Sequence, residues 1–218
     1  GAVYAKKEVV EFMLDLSIDQ KIFRKTIKIL EPSFGSGNFL IPIVKRLIAS
    51  EGIQADQIED SIRGYELSEE DFELTRNSLS QILEVYGFND ADTAHLLQKW
   101  LIHDDFLLSD PDIDFTHAIG NPPYLRIEKI PPTILSSYRS KFSTLHDRAD
   151  IYIAFFEQCL SCLSPGGNLT FICTDRWMKS KYGEKLRHLV TSKYNFDFYL
   201  DLCATSPFET DVTTYPAI

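Results

Sequence analysis

Short buried-strand patterns alternate with amphipathic helix patterns along this chain, and that alternation constrains the fold more than any single motif. Val9, Val10, Phe12, Met13 and Leu16 recur at helical spacing, which predicts a helix over roughly 6–18. Ile27, Ile29 and Leu30 form a brief apolar strand ending at Glu31-Pro32. The loop Gly35-Ser36-Gly37 then opens a helix bearing Phe39, Leu40, Ile43, Val44 and Leu47. A second strand is expected over 62–67 and a polar-faced helix over 69–86, entered through Ser68-Glu69-Glu70-Asp71. Further strand-like runs lie at 99–103, 115–120, 168–174 and 197–203. A strong helix is expected over 151–164 and a basic one near 178–193, while 125–150 reads as loop. Strand and helix alternating at this pace predict a mainly parallel sheet with helices on both faces. Ligands in such sheets sit beyond the carboxyl ends of the strands, at the switch point.

Composition narrows the function classes. At 44% hydrophobic and 12% aromatic over 218 residues, the chain can fill one large core, which excludes disorder. Its longest uncharged run, Gln158 to Thr174, is broken by Pro165-Gly166-Gly167, so no membrane span is expected. The start has no signal-peptide pattern, and the expected location is cytoplasmic. The net charge of −10 is unevenly spread: residues 51–120 hold 17 acids and 3 bases, leaving the remainder mildly basic. Segment 176–193 alone has Arg176, Lys179, Lys181, Lys185, Arg187 and Lys193 against Glu184. Cys159 and Cys162 have zinc-like spacing but sit mid-helix without a second pair, so no metal site is expected.

Four strand ends hold chemistry-bearing residues. In Glu31-Pro32-Ser33-Phe34-Gly35-Ser36-Gly37, the glycines allow close backbone approach to a ligand. A dinucleotide fingerprint would place glycine where Leu40 stands, and an acid before the loop suits a cationic amine better than a pyrophosphate. Glu66, followed by Leu67, can accept both hydroxyls of a ribose. Asp105 can accept from an adenine amino group, with Phe106 packing on the ring. Asn121-Pro122-Pro123-Tyr124 offers an amide oxygen and a carbonyl to the two hydrogens of a planar amino group, with Tyr124 as a stacking face. Each has a plain alternative: a tight turn, a helix-entry acid, a capping aspartate or an Asn-Pro turn.

Taken in order, these segments resemble the gamma-class DNA adenine-N6 methyltransferases of restriction–modification systems. Gly1-Ala2-Val3-Tyr4 resembles the N-terminal cofactor motif, Glu31 to Leu40 the methionine loop, Glu66 the ribose acid and Asp105-Phe106 the adenine pair. Asn121 to Tyr124 is similar to the catalytic tetrapeptide, and Gly166 to Ile172 with Trp177 to the fifth-strand region. Phe208 with Val212 to Tyr215 resembles the motif whose aromatic residue stacks on a flipped base. The resemblance implies a class I S-adenosylmethionine-dependent fold, with a seven-stranded, mostly parallel sheet flanked by helices and 1–218 as one catalytic domain.

It also implies the reaction. Asn121 and the Pro122 carbonyl would hold the adenine amine while Tyr124 and Phe208 sandwich a base flipped out of duplex DNA. Arg126, Lys129, Arg148, Lys179 and Lys181, from 125–150 and 176–193, would meet DNA phosphates. Partners implied are DNA, a target-recognition domain beyond Ile218 and, in some architectures, a nuclease module. Ala5-Lys6 departs from the family's Thr-Pro; losing that hydroxyl would weaken cofactor binding by about 1–2 kcal/mol. RNA adenine and protein glutamine methylation share the tetrapeptide's chemistry and stand as alternatives, as does a binding subunit without activity.

Overall fold

The computed structural model describes residues 4–18, 27–49, 52–210 and 216–218. In chain order the elements are α1 (Lys7–Ser17), β1 (Ile29–Glu31), α2 (Leu40–Ile48), α3 (Ala55–Ile58), β2 (Ile62–Glu66), α4 (Glu69–Val85), α5 (Asp90–Trp100), β3 (Leu101–His103) and β4 (Phe115–Gly120). There follow α6 (Pro132–Lys141), α7 (Tyr152–Cys162), β5 (Leu163–Phe171), β6 (Cys173–Thr174), α8 (Arg176–Lys179), α9 (Glu184–Lys193) and β7 (Pro216–Ala217). Five strands form one parallel sheet in the order β3-β2-β1-β4-β5.

Alternating side chains of these strands enter opposite cores, as a sheet covered on both faces requires. Ile29, Ile62 and Ile119 join Met13 and Leu14 of α1, Ile43 and Val44 of α2, Leu79 of α4 and Trp100 of α5. Leu30, Tyr65 and Ala118 join Tyr138 of α6, Tyr152 and Phe155 of α7, and Leu186 of α9. The chain runs from β1 outward to β3 and then returns to β4 on the other side of β1. The switch point therefore lies where Glu31 and Gly120 leave adjacent strands. No helix of the described residues is long and apolar enough to cross a membrane.

Three expectations need correction. Among the described residues the parallel sheet has five strands, not seven. After Phe171 the chain turns into β6, which pairs antiparallel with β7, Cys173 opposite Ala217. Residues 200–202 of the expected strand 197–203 exchange main-chain bonds with Pro216 and Ile218, yet form only one bridge, Asp201 to Ala217. Second, 125–150 is not all loop: Pro131-Pro132 begins α6, proline being tolerated in a helix's first turn. Third, the basic helix splits into α8, a 3₁₀ turn over Lys181–Gly183, and α9. Helix α5 went unpredicted although Asn89 caps it, its side-chain oxygen accepting from Asp92 N at 2.9 Å.

Candidate active site

The glycine loop is held from three sides. Phe34 N donates to Tyr65 O at 3.0 Å, tying it to β2. Gly35 N donates to Glu66 Oε2 at 2.8 Å, and Thr75 of α4 donates its hydroxyl to Gly35 O at 2.8 Å. Gly37 has φ +84°, and a Cβ there would meet Ile41 Cδ1 at 2.9 Å and Thr75 Cγ2 at 3.0 Å, so only glycine fits without displacement. Tyr4 is fixed above the loop: Glu209 N donates to Tyr4 O, Lys6 N to Pro207 O, and Ala5 bridges antiparallel to Phe208. Asn38 Nδ2 donates to Ala5 O at 3.3 Å. The rest of the predicted N-terminal motif, Gly1 to Val3, and Val212 to Tyr215 lie outside the described residues.

Beneath Tyr4 is a cavity of about 230 Å³, whose wall includes Glu31, Ser33, Gly35, Asn121, Pro123 and Tyr124. Glu31 is 1% exposed and its Oε2 has no hydrogen-bond partner. Burial first, and the nearby Glu66 second, push its carboxyl well above the ordinary carboxylate range. An orphaned acid beside a glycine cradle fits the α-ammonium of S-adenosylmethionine, a cation that would satisfy it. Glu66 is buried, accepts from Gly35 N and Ser68 N with one bond on each oxygen, and does not line the cavity.

The raised Glu31 carboxyl sets a sign for stability. The folded state holds this proton above the pH at which the unfolded chain releases it, so stability falls as pH rises from the ordinary glutamate range to the raised value. Glu31→Gln is accordingly expected to raise the melting temperature of the ligand-free protein at pH 7.5, with the gain vanishing near pH 4. A variant no more stable at pH 7.5 would mean that Glu31 has a partner in solution.

Several expected cofactor residues lie elsewhere. Pro32 is buried behind the loop, and Leu67 is 65% exposed. Asp105 accepts from Leu107 N at 2.9 Å and from the Tyr138 hydroxyl at 2.5 Å, and Phe106 is buried, its ring 5.1 Å from Tyr65 and 5.6 Å from Phe155. Neither lines the cavity; α6, which sequence reading missed, is what occupies Asp105.

The tetrapeptide leaves β4 at the switch point, and Tyr124 lines two cavities. The second, of about 590 Å³, is walled by Arg126, Lys129, Arg148, Arg176, Asp150 and Tyr182, among others. Asp150 Oδ1 accepts from Leu125 N at 2.9 Å and Leu125 O accepts from Ile151 N at 3.0 Å, clipping the backbone after Tyr124. The Tyr124 ring lies 6.2 Å from that of fully buried Tyr152, whose hydroxyl meets that of Tyr182 at 3.0 Å. Sequence reading missed Thr75, Asp150, Tyr152 and Tyr182. Thr75 alone left a signal, as the polar member of α4's inward face with Leu79 and Leu83.

Among the described residues Lys28, Arg46, Arg63, Arg76, Lys99 and Lys141 are ion-paired with acids, whereas Arg126, Lys129 and Arg148 form no such pair. Lys179 is a correction: it is paired with buried Asp175, and neither it nor exposed Lys181 lines the cavity. Phe208 is a second correction. It is 4% exposed within the core beneath Ala5 and reaches neither cavity, because the pairing of 207–209 with 4–6 turns it inward. Cys159 and Cys162 are buried on α7, and burial pushes the Cys162 thiol up to about 11.

The chain is 43% identical to the type II methyltransferase M.PaeR7I of Pseudomonas aeruginosa and 42% identical to M.XhoI of Xanthomonas vasicola, in both cases over its whole length. It spans 39% and 41% of those relatives' own lengths. Among solved structures, the methyltransferase subunit of a type I restriction–modification system from Streptococcus thermophilus superposes with a TM-score of 0.66 at 16% identity, covering all of this chain and 44% of that one. The fold is that of class I S-adenosylmethionine-dependent methyltransferases. With residues 12–208 matching its description, the chain belongs to the Eco57I restriction-modification methylase family.

Proposed function

We propose that this chain is the catalytic unit of a restriction–modification DNA methyltransferase that acts on the exocyclic N6 amino group of adenine. One observation supports this above the rest: Asn121 to Tyr124 line a small cavity that has a glycine cradle and an orphaned acid, and Tyr124 also lines a larger one whose wall carries Arg126, Lys129 and Arg148. S-adenosylmethionine, when bound, supplies a methyl group on a positively charged sulfur.

The chain's own residues do the positioning. Glu31 meets the ammonium, and Tyr4 and the glycine loop enclose that end. Asn121 Oδ1 and Pro122 O accept the two amino hydrogens of the base, drawing its nitrogen lone pair out of conjugation. Tyr124 supplies a ring face, with its backbone clipped by Asp150. Arg126, Lys129 and Arg148 offer positive charge to phosphates, and an adenine in a duplex reaches Tyr124 only by flipping, at a cost of a few kcal/mol. The relatives' greater length supports a target-recognition module elsewhere in the full protein.

Sequencing DNA from a methylation-free bacterial host that expresses the full-length protein tests the reading. N6-methyladenine at one recurring sequence is expected. Host DNA left unmodified by a well-expressed, folded protein would overturn it.

A further inference from the structure

We propose that Glu157 of α7 is a positioning residue for DNA contact, because it fixes the strap 142–150 that carries Arg148. The inference rests on the DNA reading above and deepens it, naming the group that sets one of its cations in place. Arg148 is exposed and lines two basic hollows. One is the larger cavity beside Tyr124; the other, of about 610 Å³, has Arg139, His146 and Lys185 on its wall. A DNA backbone that follows these hollows passes Arg148.

The strap is held at its start, middle and end. Glu157 is half-buried, lines neither hollow and accepts four hydrogen bonds at the start. Its Oε1 accepts from Ser143 N at 3.2 Å and from the Ser143 hydroxyl at 2.9 Å. Its Oε2 accepts from Thr144 N at 2.8 Å and from the Thr144 hydroxyl at 2.5 Å. In the middle, Arg139 donates to Asp147 O at 3.0 Å, where Asp147 takes the left-handed conformation at φ +53°. At the end, Asp150 accepts from Leu125 N at 2.9 Å. Leu145 and Ala149 are buried between these points, so an arginine on the strap is largely in place before DNA arrives.

The chemistry of Glu157 gives an isosteric test. A backbone N–H only donates, so Ser143 N and Thr144 N each need an acceptor, and a carboxylate offers one on either oxygen. Glutamine has almost the same size but turns an NH2 group toward one of them. The start of the strap is released whichever way the amide faces.

Glu157→Gln, Arg148→Ala and the double variant are compared in the full-length protein. The measurements are Kd for labelled duplexes cut from unmethylated bacterial DNA over a range of salt, kcat at saturating DNA, KM for S-adenosylmethionine and the melting temperature. Arg148→Ala is expected to weaken DNA binding and to lower the slope of log Kd against log salt by about one. Glu157→Gln should raise Kd by about three- to tenfold, with kcat and the cofactor KM constant, and add nothing further in the Arg148→Ala background. An equal penalty in both backgrounds would overturn the proposal, since a carboxylate that only stabilises the fold acts independently of Arg148. An Arg148→Ala variant that binds DNA like the wild type would overturn it too. If Glu157→Gln fails to fold, Thr144→Val removes one of the four bonds and keeps the side chain's shape. A smaller loss seen only when Arg148 is present then supports the proposal, and the same loss without Arg148 refutes it. Wild-type protein that binds and methylates no DNA would sink the DNA reading itself, a result distinct from any difference among the variants.

Discussion

Asn121→Ala is expected to lower kcat for DNA methylation by about 10²–10³, the loss that follows removal of one preorganised polar group from a reacting centre. Affinity for S-adenosylmethionine should change far less, because on the proposed reading Glu31, Tyr4 and the glycine loop hold the cofactor. The reasoning is geometric. Asn121 is the first residue after β4, whose parallel pairing with β1 and β5 fixes the backbone on both sides. Pro122 and Pro123 then restrict the chain up to Tyr124, and Asp150 holds the next residue. On the proposed reading, removing the amide deletes one of two acceptors for the amino group. Single-turnover transfer together with calorimetric cofactor binding checks this. Equal turnover by the variant would remove Asn121 from the reaction.

Gly183→Ala should produce the largest loss of stability from one added carbon. Gly183 has ordinary φ, −81°, so conformational freedom is not the reason for glycine here. A Cβ would instead stand 1.8 Å from the Trp177 carbonyl oxygen and 2.6 Å from its carbon. Both are main-chain atoms and cannot swing aside, so the turn between α8 and α9 must open. The expected cost is about 3 kcal/mol, the upper end for overpacking a tight site. The same opening carries Tyr182, on the wall of the larger cavity, away from Tyr152. Urea unfolding reads the change as a lower midpoint at constant slope; an unchanged midpoint would refute it.

Much of the architecture was legible because its cause is local. Strands buried on both faces read as short apolar runs, and Ser68 marks the start of α4 through the hydrogen bond it makes to Asp71 N at 3.3 Å. What escaped depends on distant partners. Helix α5 has little apolar signal beyond Leu96, Leu97 and Trp100, and its stability comes from Trp100, whose ring nitrogen donates to Ile58 O at 3.1 Å. Helix α6 hides behind two prolines. At the site, motif order pointed to Glu31 and to Asn121 to Tyr124, which the structure sets at the ends of β1 and β4 around one cavity. It misjudged Phe208, whose burial comes from main-chain pairing with 4–6, some two hundred residues earlier in the chain. It also passed over Tyr182, whose partner Tyr152 lies on a separate helix.

The most direct test of the central claim is where the methyl group goes. Full-length protein, labelled S-adenosylmethionine and equal amounts of unmethylated DNA, RNA and bacterial protein are incubated together, and each fraction is digested and resolved by mass spectrometry. Label in N6-methyldeoxyadenosine is the expected result. Label in N4-methyldeoxycytidine, in a ribonucleoside or in methylglutamine would contradict it.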